Sequence, residues 1–147
     1  MAAECMAMLN PDQQAAFEKI TLAITNNTGQ LFFLHGPGGT GKTFLYNTLC
    51  YHLHSQQKIV LCIASSGIAA LLLKGGRTAH SAFKIPIPCH ESSICGFSKN
   101  SQLGELICHT NLGPIWLPGF GFTYCLVLVL EFSRSHYCDR DVQCNIT

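Results

Sequence analysis

Charge is scarce in this chain. Only 12% of its 147 residues are Asp, Glu, Lys or Arg, and the formal net charge is +1. No basic field advertises a nucleic-acid partner. From Leu106 to Leu130 no charged side chain occurs at all. That stretch has the length of a membrane span, but Gly113-Pro114, Pro118-Gly119 and Gly121 would break a lone helix, so no membrane association is expected. Met1 to Leu9 has no basic start and only a short apolar stretch, so no signal or targeting segment is visible. Internal repeats and low-complexity tracts are missing too.

Tight CxxC pairs are also lacking, although cysteine itself is plentiful at nine residues. The odd count and the missing leader point to a reducing compartment with most thiols free. Cys89 and Cys95, and again Cys138 and Cys144, are separated by five residues, with His90, His109 and His136 nearby. These spacings match none of the common structural zinc patterns, so no zinc centre is expected.

What remains is an apolar fraction of 48%, enough for the core of one globular domain. Asn10-Pro11-Asp12-Gln13 reads as a helix start, with Asn10 as N-cap and Pro11 in the first turn. Phe17, Ile20 and Ile24 follow at helical spacing. Asn26-Asn27-Thr28-Gly29 ends that helix. Leu31-Phe32-Phe33-Leu34 then reads as a short buried strand. Lys58 to Ala64 reads as a second strand, covered on both faces, and Ser65-Ser66-Gly67 opens a helix over Ile68 to Leu73. Beyond Lys74, Gly75-Gly76 is a turn, Ile85-Pro86-Ile87-Pro88 cannot be helical, and Cys89 to Gln102 reads as an exposed loop.

Between the two strands lies the most informative segment, Gly36-Pro37-Gly38-Gly39-Thr40-Gly41-Lys42-Thr43. It satisfies G-x-x-x-x-G-K-[ST] at every required position, with a strand before it and the helix from Phe44 to Leu49 after it. Glycines at these places let backbone N–H groups approach a triphosphate, and the helix N-terminus adds a favourable dipole. Lys42 would reach the β- and γ-phosphates of ATP, and the Thr43 hydroxyl would ligate Mg²⁺. The β–α–β–α order predicts a parallel sheet with right-handed crossovers.

Four segments in series add a resemblance to this motif. Leu9 to Gln13, Gly36 to Thr43, Ala64-Ser65-Ser66-Gly67-Ile68-Ala69-Ala70, and Gly76-Arg77-Thr78-Ala79-His80-Ser81-Ala82-Phe83 closely resemble the N-terminal part of Pif-one-like DNA helicases, including those of Helitron-type transposons. The resemblance runs from about Leu9 to about Leu112. It implies an α/β P-loop NTPase with a RecA-like parallel sheet, present only as its first βαβα part, over residues 1–112. It also implies ATP hydrolysis coupled to 5′-to-3′ movement on single-stranded DNA and duplex unwinding. Members act in DNA repair, recombination and telomere maintenance, in the nucleus or mitochondrion. By the same resemblance Gln13 recognises adenine; a capping-box partnership with Asn10 is the structural alternative. Ser65, Ser66 and Gly67 fall in a strand-tracking motif, and Thr78, His80 and Phe83 in a second DNA-facing motif where an aromatic can stack on bases. Ser66 as an N-cap and Phe83 as a packing residue are the corresponding structural roles.

The family pattern then breaks. Where a strand ending in Asp-Glu should stand, the chain has Asn111-Leu112-Gly113-Pro114-Ile115-Trp116-Leu117-Pro118. Ile115-Trp116 resembles the apolar run, but Leu117 and Pro118 can neither hold Mg²⁺ through water nor accept a proton. Val127-Leu128-Val129-Leu130-Glu131 ends in an acid but lacks the Asp. Residues 113–147 are expected to be an unassigned tail from a truncated or mis-spliced reading of a longer gene, leaving little turnover and only marginal stability. Strands from later in such a sheet lie between the two present here, so their absence would leave backbone donors and apolar faces uncovered. A small P-loop kinase and a non-catalytic nucleotide-binding relic are the alternative functions.

Overall fold

The computed structural model describes residues 2–28, 30–88, 90, 93–98, 100–119 and 122–129. In chain order the elements are α1 (Ala2–Ala7), α2 (Pro11–Thr25), β1 (Leu31–Leu34), α3 (Lys42–Ser55), β2 (Ile63–Ala64), α4 (Gly67–Leu71), β3 (Arg77–Thr78), α5 (Ala79–Phe83), α6 (Gln102–Cys108), β4 (Leu112–Gly119) and β5 (Phe122–Val129). Helix α2 starts where its residues dictate. Asn10 Oδ1 accepts from Gln13 N at 2.8 Å, and Gln13 Oε1 accepts in return from Asn10 N at 3.1 Å, a reciprocal capping box followed by Pro11. It ends at Asn26, and Asn27 turns the chain with φ +50°.

The core forms where α2 and α3 meet the sheet. Phe17, Ile20 and Ile24, spaced for one helical face, are buried against Leu45, Leu49 and Leu53 of α3. Cys62 and Ala64 project from the sheet into the same cluster, which Ala69, Ala70 and Leu73 close. Burying Leu49 and Leu53 completely contributes about 1.5–3 kcal/mol each. Thr48, equally buried, satisfies its hydroxyl by donating to Phe44 O at 2.8 Å.

The sheet departs from the all-parallel expectation. Its five strands run in the order β1-β5-β4-β2-β3. β2 pairs in parallel with β3 and β4, whereas β5 is antiparallel to both β1 and β4. Strands β1, β4, β2 and β3 therefore point one way and β5 alone is reversed. The cause is the connection. A parallel crossover needs a dozen or more residues, and only residues 120–121 separate β4 from β5. A gap between β1 and β2, expected from the missing later strands, is thus filled by the chain's own hairpin. All four residues of β1 find ladder partners, from Leu31↔Leu128 to Leu34↔Cys125.

Two other expectations need correction. The run Lys58 to Ala64 forms a strand only at Ile63 and Ala64, with an isolated bridge at Val60 and single contacts extending it: Arg77 N donates to Cys62 O and Asn111 N to Ile59 O, both at 2.9 Å. β1 is not buried on both faces. Phe32 and Leu34 pack on the core, while Leu31 and Phe33 are 61% and 59% exposed. Helices cover one face of this strand and leave Leu31 and Phe33 on the other exposed.

Among the described residues no helix is long and apolar enough to cross a membrane, and no group of three or more His, Cys, Asp or Glu could hold a metal ion. Cys89, His136, Cys138 and Cys144 lie outside the described residues. Cys5, Cys50, Cys62 and Cys108 are free thiols, and Cys95 is disulfide-bonded.

Candidate nucleotide site

Strand β1 delivers the chain into the glycine-rich loop, and α3 begins directly behind it. The turn requires left-handed backbone at Gly39 (φ +80°) and Gly41 (φ +77°), conformations that cost a residue with a Cβ about 1–2 kcal/mol. Gly41 is constrained twice. A Cβ there would stand 2.5 Å from Gln13 Nε2. It also serves as the N-cap of α3 without any side-chain cap, so no oxygen of its own covers the first-turn amides. Gly36 lies close to its neighbours as well, since a Cβ would meet Thr40 Oγ1 at 3.0 Å.

Lys42 folds back over this loop. Its Nζ donates to Gly36 O and Pro37 O, both at 2.7 Å, and to Thr40 Oγ1 at 3.3 Å. Thr40 Oγ1 in turn donates to Pro37 O at 2.9 Å. Among the described residues the ammonium is held by neutral carbonyl dipoles and a hydroxyl, and by no carboxylate. An anion of high charge offers it a stronger partner, because a full negative charge adds direct Coulomb attraction that neutral carbonyl dipoles cannot supply. Thr43 sits half-buried in the same first turn.

Beside the loop opens a cavity of about 360 Å³, lined by Asn10, Gln13, His35, Gly36, Thr40 and Lys42 among others. The start of α2 forms its second wall. Gln13 bolts that wall to the loop, donating from Nε2 to Thr40 O at 3.0 Å while its Oε1 completes the capping box. The capping role of Gln13 is therefore present, and the same side chain also faces the cavity. Asp12 and His35 line the cleft too, and sequence reasoning had not singled them out. Their only signal was adjacency, Asp12 to Gln13 and His35 to Gly36.

That arrangement of strand, cradle, lysine and helix is what a triphosphate tail requires, and the family comparison agrees with it. A model described as PIF1-like helicase matches residues 8–116. The chain belongs to the PIF1-like helicase family. No curated protein matches it. The family match ends at Trp116, just beyond the Leu112 limit read from the motifs. Helicases of this family use nucleotide and Mg²⁺ and act on nucleic acid.

The second group of predicted residues is arranged differently. Ser66 caps α4, its hydroxyl accepting from Ala69 N at 3.3 Å, and Thr78 caps α5 by accepting from Ser81 N at 3.3 Å. Among the described residues the buried Ser65 hydroxyl finds no hydrogen-bond partner. Gly67 and His80 are exposed and Phe83 is half-buried. Beside Gly67 on α4, Ile68 and Leu71 are 80% and 86% exposed. These residues occupy the end of the sheet formed by β2 and β3, apart from the cavity next to Lys42.

β4 lies parallel to β2, with Ile115 opposite Ile63 and Trp116 opposite Ala64. It ends in Leu117-Pro118-Gly119, with no carboxylate along its length. Among the described residues the acids are Glu4, Asp12, Glu18 and Glu105. Glu131 lies outside them.

Proposed function

We propose that this chain is the ATP-binding part of a helicase that moves 5′-to-3′ on single-stranded DNA, and that by itself it binds ATP with little turnover. The observation that carries the reading is the posture of Lys42, with its ammonium held over a loop in which Gly39 and Gly41 adopt left-handed backbone at the head of an uncapped helix. The residues fit a triphosphate. First-turn amides and Lys42 would hold the phosphates, Thr43 would contribute a hydroxyl to Mg²⁺, and Gln13 would meet adenine at the α2 wall. Mg²⁺, when bound, supplies charge neutralisation between the phosphates. The chain's own part is to bind and orient the nucleotide.

Hydrolysis needs a base to polarise water, and β4 supports none. Loss of a general base costs about 10²–10⁴ in rate. A non-catalytic nucleotide binder is therefore the second reading, favoured by Leu117-Pro118 at the end of β4. Ser65, Ser66, Gly67, Thr78, His80 and Phe83 would form the single-stranded DNA surface. Residues 113–147 are, in this reading, a tail foreign to the helicase pattern, except for 113–116, which the family match still covers. Service in repair, recombination and telomere maintenance, in the nucleus or mitochondrion, follows from the same family reasoning.

Titration of the chain with a fluorescent ATP analogue, followed by an ATPase assay with and without single-stranded DNA, tests the proposal. Binding that competes with ATP, with turnover near background, is the expected result. Failure to bind any nucleotide would sink it, and robust DNA-stimulated hydrolysis would overturn the deficiency.

A further inference from the structure

Helix α3 and the segment entering β2 meet at two sulfur atoms that the nucleotide site does not use. Cys50 Sγ and Cys62 Sγ lie 3.0 Å apart, and both residues are free thiols, 1% and 6% exposed. Cys50 sits two turns into α3, the helix that Lys42 begins. Cys62 immediately precedes Ile63 of β2. Their contact joins the phosphate-loop helix to the strand that runs into Ser65 and Ser66.

We propose that Cys50 and Cys62 are an oxidisable pair, which hydrogen peroxide converts into a disulfide tying α3 to β2. A disulfide needs its sulfurs about 2.05 Å apart, so they must approach by roughly 1 Å. In the first step the Cys62 sulfur attacks one peroxide oxygen. The O–O bond breaks, the other oxygen leaves as water, and Cys62 becomes a sulfenic acid. Cys50 sulfur then attacks Cys62 sulfur, the S–O bond breaks, and a second water carries away the Cys50 proton. Two thiols and one hydrogen peroxide give one disulfide and two waters, with both electrons passing from sulfur to oxygen. The hydrogen bond shared with Cys50 lowers the Cys62 thiol below its ordinary range, although burial opposes it, which suits Cys62 to the attacking role. Cys62 is also the more exposed of the two.

The sequence provides a clean readout. Trypsin cutting at Lys42, Lys58 and Lys74 places Cys50 alone in peptide 43–58 and Cys62 alone in peptide 59–74. The folded full chain is treated with hydrogen peroxide, denatured, alkylated and digested. The expected product is a 43–58/59–74 pair joined with loss of two hydrogens and released by dithiothreitol. Recovery of the two peptides separately alkylated, or Cys62 oxidised to sulfinic acid with Cys50 unpaired, overturns the proposal. The cross-linked chain should also melt roughly 5–10 °C higher, as closing a short loop in the unfolded chain implies. An unchanged melting temperature in chain shown to carry the bond would overturn the tie between α3 and β2. Neither readout depends on nucleotide binding.

Discussion

The glycine-rich loop and the segment from Ser65 to Phe83 are built from similar residues, small, hydroxylated and close to helix starts, yet they hold those residues in opposite states. In the loop the backbone adopts postures that local structure does not reward, and the one cation is satisfied by uncharged groups alone. Gly39 and Gly41 are left-handed, α3 lacks a side-chain cap, and Lys42 is folded onto carbonyls. In the second segment Ser66 and Thr78 each complete a helix cap. A residue whose conformation serves no local purpose points to a ligand. One that already caps a helix has a sufficient reason to be there, and any DNA role must be demonstrated separately.

The largest effect that sharpens this contrast is expected from Lys42→Ala. Removing the ammonium should weaken ATP binding by about 10²-fold, as loss of a charge-assisted contact of roughly 3 kcal/mol implies. Its partners in the free chain are solvent-reachable carbonyls, so melting temperature should barely move. An equal loss of stability and affinity would mean that the lysine is a structural strut, and the contrast would collapse.

Gly41→Ala comes next. A Cβ at φ +77° costs about 1–2 kcal/mol and also meets Gln13 Nε2. We expect roughly tenfold weaker nucleotide binding together with lower stability, read by titration and thermal melting. The double variant Gly41→Ala/Gln13→Ala separates the two causes. Recovery would assign the defect to the side-chain clash, and persistence to the backbone.

Legibility in the sequence follows the same division. The glycine-rich turn between β1 and α3 is legible because its left-handed backbone calls for glycine at fixed positions, and the start of α2 because a capping box is local. The extent of β2 is not legible, since a continuous apolar run from Lys58 to Ala64 does not say which residues find ladder partners; only Ile63 and Ala64 have them on both sides. The exposure of Leu31 and Phe33 is hidden for a related reason. An apolar strand records what could be buried, and the cover comes from other elements. The reversal of β5 is a matter of connection length, invisible to hydrophobic pattern. Ser101, whose hydroxyl accepts from Gly104 N, starts α6 at the edge of what had read as loop.

A smaller effect is expected at Gln13, which belongs to both worlds. It caps α2 and braces Thr40 O. Gln13→Glu keeps the acceptor for Asn10 N but loses the donor to Thr40 O. If the amide reads adenine, the preference for ATP over GTP should fall by about tenfold, roughly 1.4 kcal/mol, while the melting temperature holds. Unchanged preference in a competition titration would leave Gln13 as a brace alone.

The smallest and most discriminating effects concern Ser66 and Thr78. Alanine at either site is ambiguous, because it removes the cap, costing about 1 kcal/mol, and any phosphate contact together. Aspartate separates them. Its carboxylate is as good an N-cap as serine and interacts favourably with the helix N-terminus, but it repels DNA phosphates. Ser66→Asp and Thr78→Asp should therefore preserve or slightly raise the melting temperature. If these hydroxyls face DNA, they should also weaken single-stranded DNA binding several-fold, an effect that diminishes as salt screens the repulsion. Unchanged DNA affinity in both stable variants would leave them caps and nothing more, and would shift the search for a DNA surface to exposed His80 and half-buried Phe83, where stacking needs no charge.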